Sequence, residues 1–124
     1  ADSTGKFSTK LTARKRYLPR IIQGVNEFRE MSKSPKSPSA DLFFKGKGDE
    51  KAGYDSFIRA SSLYGASLRK GEVPDAISRQ ADDLVQIMKK NLDIVAKTRS
   101  VSDFEKTKMS INDFLLFCKI EETL

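Results

Sequence analysis

Residues 74–98, PDAISRQADDLVQIMKKNLDIVAKT, decide the fold. Ile77, Ala81, Leu84, Val85, Met88, Leu92 and Val95 recur at intervals of four, three, one, three, four and three. That is the period of one face of an α-helix. Pro74 suits the first helical position, where no N–H is needed, and Asp75 suits the positive end of the helix dipole. A single clean stripe on so long a helix needs a cover, and the neighbouring segments supply it.

Downstream, SVSDFE places Ser102 three residues before Glu105, a capping box in which each side chain satisfies an exposed N–H. A helix is expected over 103–122, with Phe104, Ile111, Phe114, Leu115 and Cys118 facing inward. Leu116, Phe117 and Ile120 make the FLLFCKI run apolar over more than half its circumference. Upstream, KGEVPDA reads as a short turn, with Gly71 the C-terminal stop of a helix over 50–70. On that helix Tyr54, Phe57, Ile58, Tyr64 and Leu68 share a face, and Ser61 and Gly65 are small enough to let another helix approach. Its Tyr/Ser stripe, YDSFIRASSLYGASLRKG, is therefore read as core packing, with the hydroxyls bonding within the helix.

The first helix is expected over 11–31, with Leu18, Ile21, Ile22, Val25, Phe28 and Met31 at helical spacing. Pro19 complicates it, because proline lacks an N–H and disfavours helix at the residue before. Either the helix begins near Leu18–Pro19 or an earlier turn is kinked there. Residues 1–10 are expected to be a flexible segment. Residues 32–49, with two Ser-Pro pairs and two glycines, read as a long loop whose DLFF tucks back on the core. No alternating strand pattern of length, internal repeat or sustained heptad occurs. The expectation is all-α: one domain over 1–124, an antiparallel up-down four-helix bundle with a long Pro/Gly-containing loop between helices 1 and 2.

The composition excludes much chemistry. The chain has 124 residues, enough for one core, and no apolar run long enough to span a bilayer. It has no histidine, hence no imidazole base, Ser-His or Cys-His pair, or imidazole zinc ligand. The one cysteine, Cys118, cannot form an intramolecular disulfide and reads as a buried small hydrophobe. The adjacent acids Asp49–Glu50, Asp82–Asp83 and Glu121–Glu122 fall in no di-iron pattern and read as solvated helix ends and faces. GKGDEKAG lacks the spacing of a phosphate loop and reads as a turn before a helix. No catalytic, cofactor-binding or metal residue is expected.

What remains is charge. Residues 1–70 carry 15 Lys/Arg and 7 Asp/Glu, a balance of +8, whereas residues 71–124 carry 8 and 10, a balance of −2. An electrostatic partner should meet the front of the chain. There KLTARKRYLPR, residues 10–20, concentrates the cations. It could bind nucleic-acid phosphates, yet no helix-turn-helix, zinc-finger or RNA-platform signature accompanies it. It could lie on anionic lipid, yet its apolar face is committed to the bundle. Docking on an acidic protein needs only complementary charge and a few anchors, which Tyr17 and Leu18 provide, and the alternative to it is a solvated helix face with no partner. The expected partner-binding residues are Lys10, Arg14, Lys15, Arg16, Tyr17 and Arg20, with Lys89 and Lys90 an open question as a second site.

TARKRYLPRIIQGVNEF, a Pro-rich loop and DEKAGYDSFIRASSLYGASLRKGEVPDAISRQADDL together resemble an extrinsic lumenal protein of photosystem II, of the diatom-specific type related in shape to the PsbQ-type four-helix proteins. The likeness covers most of residues 12–84. It implies a non-catalytic subunit of the oxygen-evolving complex in the chloroplast thylakoid lumen. Such a subunit is peripheral to the membrane and binds the intrinsic lumenal surface of photosystem II and its other extrinsic subunits. It shields the manganese–calcium cluster, helps retain calcium and chloride, and holds no cofactor or cluster ligand of its own. The start at Ala1 suits a chain that has lost a lumenal targeting peptide, and also one that was trimmed. The expected last helix runs to the end at KIEETL, as in a chain that continues further in nature. The rival expectations are a photosystem II assembly or repair factor of similar fold and a basic nucleic-acid-associated bundle.

Overall fold

The computed structural model describes residues 2–45, 53–67, 75–122 and 124, and the side chains of these apart from 2–13 and 75–78. Five α-helices follow in order: α1 Asp2–Lys33, α2 Pro38–Lys45, α3 Tyr54–Ser67, α4 Asp75–Thr98 and α5 Val101–Phe117. The described residues contain no strand, and their regular structure is all-helical. Leu68, Gly71, Pro74 and most of GKGDEKAG lie outside the described residues, as does the side chain of Ile77.

Helix α1 begins well before Pro19 and passes through it. Proline at position 19 removes the donor for the carbonyl of residue 15. Pro19 and Lys15 are both exposed, so that carbonyl is on the solvent side and water can satisfy it. Ile21, Val25, Phe28 and Met31 are buried as their spacing predicts, and Leu18 and Ile22 are half-buried.

The fifth helix, α2, lies inside the expected loop. The second Ser-Pro pair is a helix start rather than a loop signal. The hydroxyl of Ser37 accepts from the N–H of Ala40 at 3.3 Å, and Pro38 takes the first helical position. Ala40 and Phe43 are buried, so DLFF does tuck back, while Leu42 stays exposed.

Contacts between named residues fix how the helices run. Glu27 of α1 accepts from the N–H of Gly53 at 3.3 Å, and Gly24 lies against Phe57, so α1 and α3 are antiparallel. A Cβ on Gly24 would stand 2.3 Å from Phe57 Cδ1, which only glycine avoids. Tyr54 of α3 donates to Asp93 of α4 at 2.7 Å, and Gly65 faces Ala81 further along, so this pair is antiparallel too. The rings of Phe28 and Phe104 lie 5.5 Å apart, bringing the C-terminal half of α1 to the start of α5. One core cluster runs through all five helices. Ser61 is fully buried in it and its hydroxyl has no hydrogen-bond partner among the described residues.

The α4–α5 connection is shorter than SVSDFE suggests. Arg99 adopts a left-handed backbone (φ 51°) and its N–H bonds the Val95 carbonyl at 2.9 Å, which closes α4. Ser100 then caps α5, its hydroxyl accepting from the Asp103 N–H at 3.2 Å. The cap is thus two residues earlier than the expected Ser102–Glu105 box. The Arg99 side chain ties this corner to α2. It donates to the carbonyls of Ala96 and Pro35, each at 3.0 Å, pairs with Asp41 at 2.8 Å, and lies 4.9 Å from the centre of the Phe44 ring.

Helix α5 ends at Phe117, short of the expected 122. Lys119 is left-handed (φ 57°), and the N–H groups of Lys119 and Ile120 bond the carbonyls of Leu116 and Leu115 at 3.0 and 2.9 Å. This is a Schellman stop with lysine where glycine is usual. Beyond it the tail turns back along α5. Ile120 is buried, Leu124 exchanges two hydrogen bonds with the side chain of Asn112, and Glu122 reaches Arg29 of α1 at 3.7 Å. Leu116 sits on the solvent side, so the FLLFCKI run is only partly core.

Candidate docking surface

Successive residues of an α-helix are turned by about 100°, so three adjacent cations cannot share a face. The RKRY cluster accordingly divides. Arg14, Lys15, Arg16 and Arg20 are all exposed and Tyr17 is half-buried. Arg16 and Arg20, one turn apart, line with Tyr17 a cleft of about 180 Å³ between α1 and α3. Helix α3 contributes Asp55, Ser56, Arg59, Ala60 and Leu63 to it. Arg14 takes another direction, and its charge acts on the buried Tyr64. Burial pushes the Tyr64 hydroxyl above its ordinary pKa, Arg14 works against that push, and Cys118 adds to it. Lys15 does not line the cleft. Lys10 belongs to α1, but its side chain lies outside those described.

Arg59 is the residue that sequence reasoning missed. It is exposed and sits off the apolar stripe of α3, where the sequence shows a single arginine with no basic neighbour. The only signal for it is the pairing of α1 with α3, a tertiary fact.

Lys89, Lys90 and Lys97 share an exposed patch on α4 with Gln86, Asp93 and Ile94. Asp93 is already engaged by Tyr54, whose hydroxyl is pushed well above its ordinary pKa by burial first and then by the hydrogen bond and charge of Asp93. A larger groove of about 1030 Å³ between α1 and α2 has Pro19, Ile22, Leu42 and Phe43 among its walls, and its charged lining is Glu27, Glu30 and Lys45, a balance opposite in sign to that of the cleft.

Cys118 is buried, and burial pushes its thiol up to about 12, so it is protonated at neutral pH and a poor nucleophile. Among the described residues no group of three or more His, Cys, Asp or Glu could hold a metal ion. No helix among them is long and apolar enough to cross a membrane. No family model, curated protein or solved structure matches the chain.

Proposed function

We propose that this chain is a non-catalytic extrinsic subunit of the photosystem II oxygen-evolving complex, a four-helix bundle of the PsbQ-like kind that docks on the lumenal face and helps retain calcium and chloride near the manganese–calcium cluster. The observation that carries the docking part is the exposure of Arg14, Lys15, Arg16 and Arg20 on a helix whose apolar side is already used by the core, with Arg59 added from α3. The resemblance of residues 12–84 supplies the partner. Each exposed ion pair contributes only about 0.2–1 kcal/mol, so several must act together and the binding is salt-labile.

The test is rebinding to photosystem II membranes washed free of extrinsic proteins, with and without the other extrinsic subunits. The expected result is stoichiometric uptake, release by salt and recovery of oxygen evolution. The double variant Arg14→Glu/Arg16→Glu should release at much lower salt while keeping its helical circular dichroism. Unchanged retention of that folded variant overturns the electrostatic reading. Uptake only by immature, non-evolving complexes would mark an assembly factor instead.

A further inference from the structure

We infer that the cleft between α1 and α3 receives one carboxylate side chain, a Glu or Asp of an acidic partner protein, held among Arg16, Arg20 and Arg59. This rests on the docking function above and names the contact at its centre. Three arginines from two helices line a single cleft of about 180 Å³, and among the described residues the only acid lining it is Asp55. Like charges brought together in this way repel, and an incoming anion relieves the repulsion. The guanidinium fork matches a carboxylate with two parallel hydrogen bonds, which an ammonium cannot offer. Tyr17, Ala60 and Leu63 give the cleft apolar wall for the methylenes of a glutamate. One turn beyond Arg20, Gly24 lets α1 close on Phe57, which sets the spacing of the two helices.

A phosphate backbone fits less well. Glu27 and Glu30 stand further along α1, so a nucleic-acid strand following the helix beyond the cleft would meet carboxylates. The cations form a point of contact rather than a track.

The experiment uses the full chain labelled with nitrogen-15 and reads the arginine Nε–Hε resonances. Its probes are a short peptide with a Glu-Glu pair flanked by leucines, the same peptide with Gln-Gln, and a short DNA duplex. The Glu peptide should shift Arg16, Arg20 and Arg59 together and saturably, and the Gln peptide should not. Arg59→Gln, a change at an exposed position, should weaken that binding roughly tenfold with an unchanged melting temperature. Absence of saturable shifts at Arg59, or tighter binding of the duplex at the same residues, overturns the proposal. The photosystem II assay separates the two levels. If Arg59→Gln is retained like wild type while Arg14→Glu/Lys15→Glu is released, docking stands and the cleft falls. If the peptide seats in the cleft but stripped photosystem II takes up no wild-type protein, the carboxylate site stands and its assignment to photosystem II falls.

Discussion

One methyl group at position 24 measures how closely α1 and α3 pack. On helix propensity alone, Gly24→Ala should stabilise α1 by up to about 1 kcal/mol. Packing opposes this. The new Cβ would lie 2.3, 2.7 and 2.9 Å from Cδ1, Cγ and Cβ of Phe57, a ring that is itself fully buried and has no room to swing. Forcing such a contact costs about 1–3 kcal/mol or more, so the clash wins and the variant is net destabilised. Urea unfolding should show a lower midpoint at an unchanged slope, and a midpoint at or above wild type would show that the helices separate freely. The sequence marks Ser61 and Gly65 as close-approach residues but gives no such sign for Gly24. A glycine inside a helical pattern acquires its reason only when the opposing side chain is known. Arg59 is the same case in charge rather than volume, since its meaning depends on lying across a cleft from Arg16 and Arg20.

At the scale of elements, the helical phases were legible and the ends were not. The stripes on 74–98 and 103–118 locate the buried residues Ala81, Val85, Met88, Leu92, Val95, Phe104, Ile111, Phe114, Leu115 and Cys118, because one face must leave water whatever the loops do. Around the α4–α5 turn, Ser100–Asp103 and Ser102–Glu105 both satisfy the same capping pattern. The choice is made by Arg99, whose left-handed backbone ends α4 and leaves Ser100 as the first residue free to cap. The cap also carries a pH signature. Asp103 Oδ2 accepts from the hydroxyls of Thr98 at 2.6 Å and Ser100 at 2.7 Å, and these bonds hold its carboxyl below the ordinary aspartate range. A carboxyl depressed in the folded state adds stability above its unfolded pKa, and that stability is lost as pH falls through the folded value. Thr98→Val/Ser100→Ala should therefore raise the Asp103 pKa toward the ordinary value, seen by carboxyl-carbon NMR. Loss of the Ser100 cap alone should cost about 0.5–2 kcal/mol at neutral pH. The part of the deficit that comes from Asp103 should shrink once the pH is low enough to protonate the carboxyl in both proteins. A pKa that does not move would show that the hydroxyls leave the carboxylate unaffected.

For the whole molecule, the uneven charge of the chain placed the excess of cations in its front half, but the division of the basic cluster between faces awaited the helix phase and the α1–α3 pairing. The returning tail was not legible at all, because KIEETL continues the helical pattern and nothing in its composition signals the left-handed Lys119. Its role is closure. Ile120 fills the core, Leu124 is pinned by Asn112, and Glu122 reaches Arg29, so the segment fastens the end of α5 to α1. Arg29 lies nine residues beyond Arg20, about half a turn around α1, so the tail and the basic cleft occupy different sides of that helix. Removing residues 120–124 should therefore separate stability from docking. Loss of the buried isoleucine dominates, because the Arg29–Glu122 pair is half-exposed and screened, and the expected cost is about 2–4 kcal/mol. Hydrogen exchange should quicken along α1 and α5 together while the contact between α3 and α4 keeps its protection. Below the lowered melting temperature, carboxylate-peptide binding at Arg16, Arg20 and Arg59 should match that of the intact chain. An unchanged melting temperature would show that the tail is not a fastening. Loss of peptide binding in the folded, truncated chain would show instead that closure and cleft are coupled through α1.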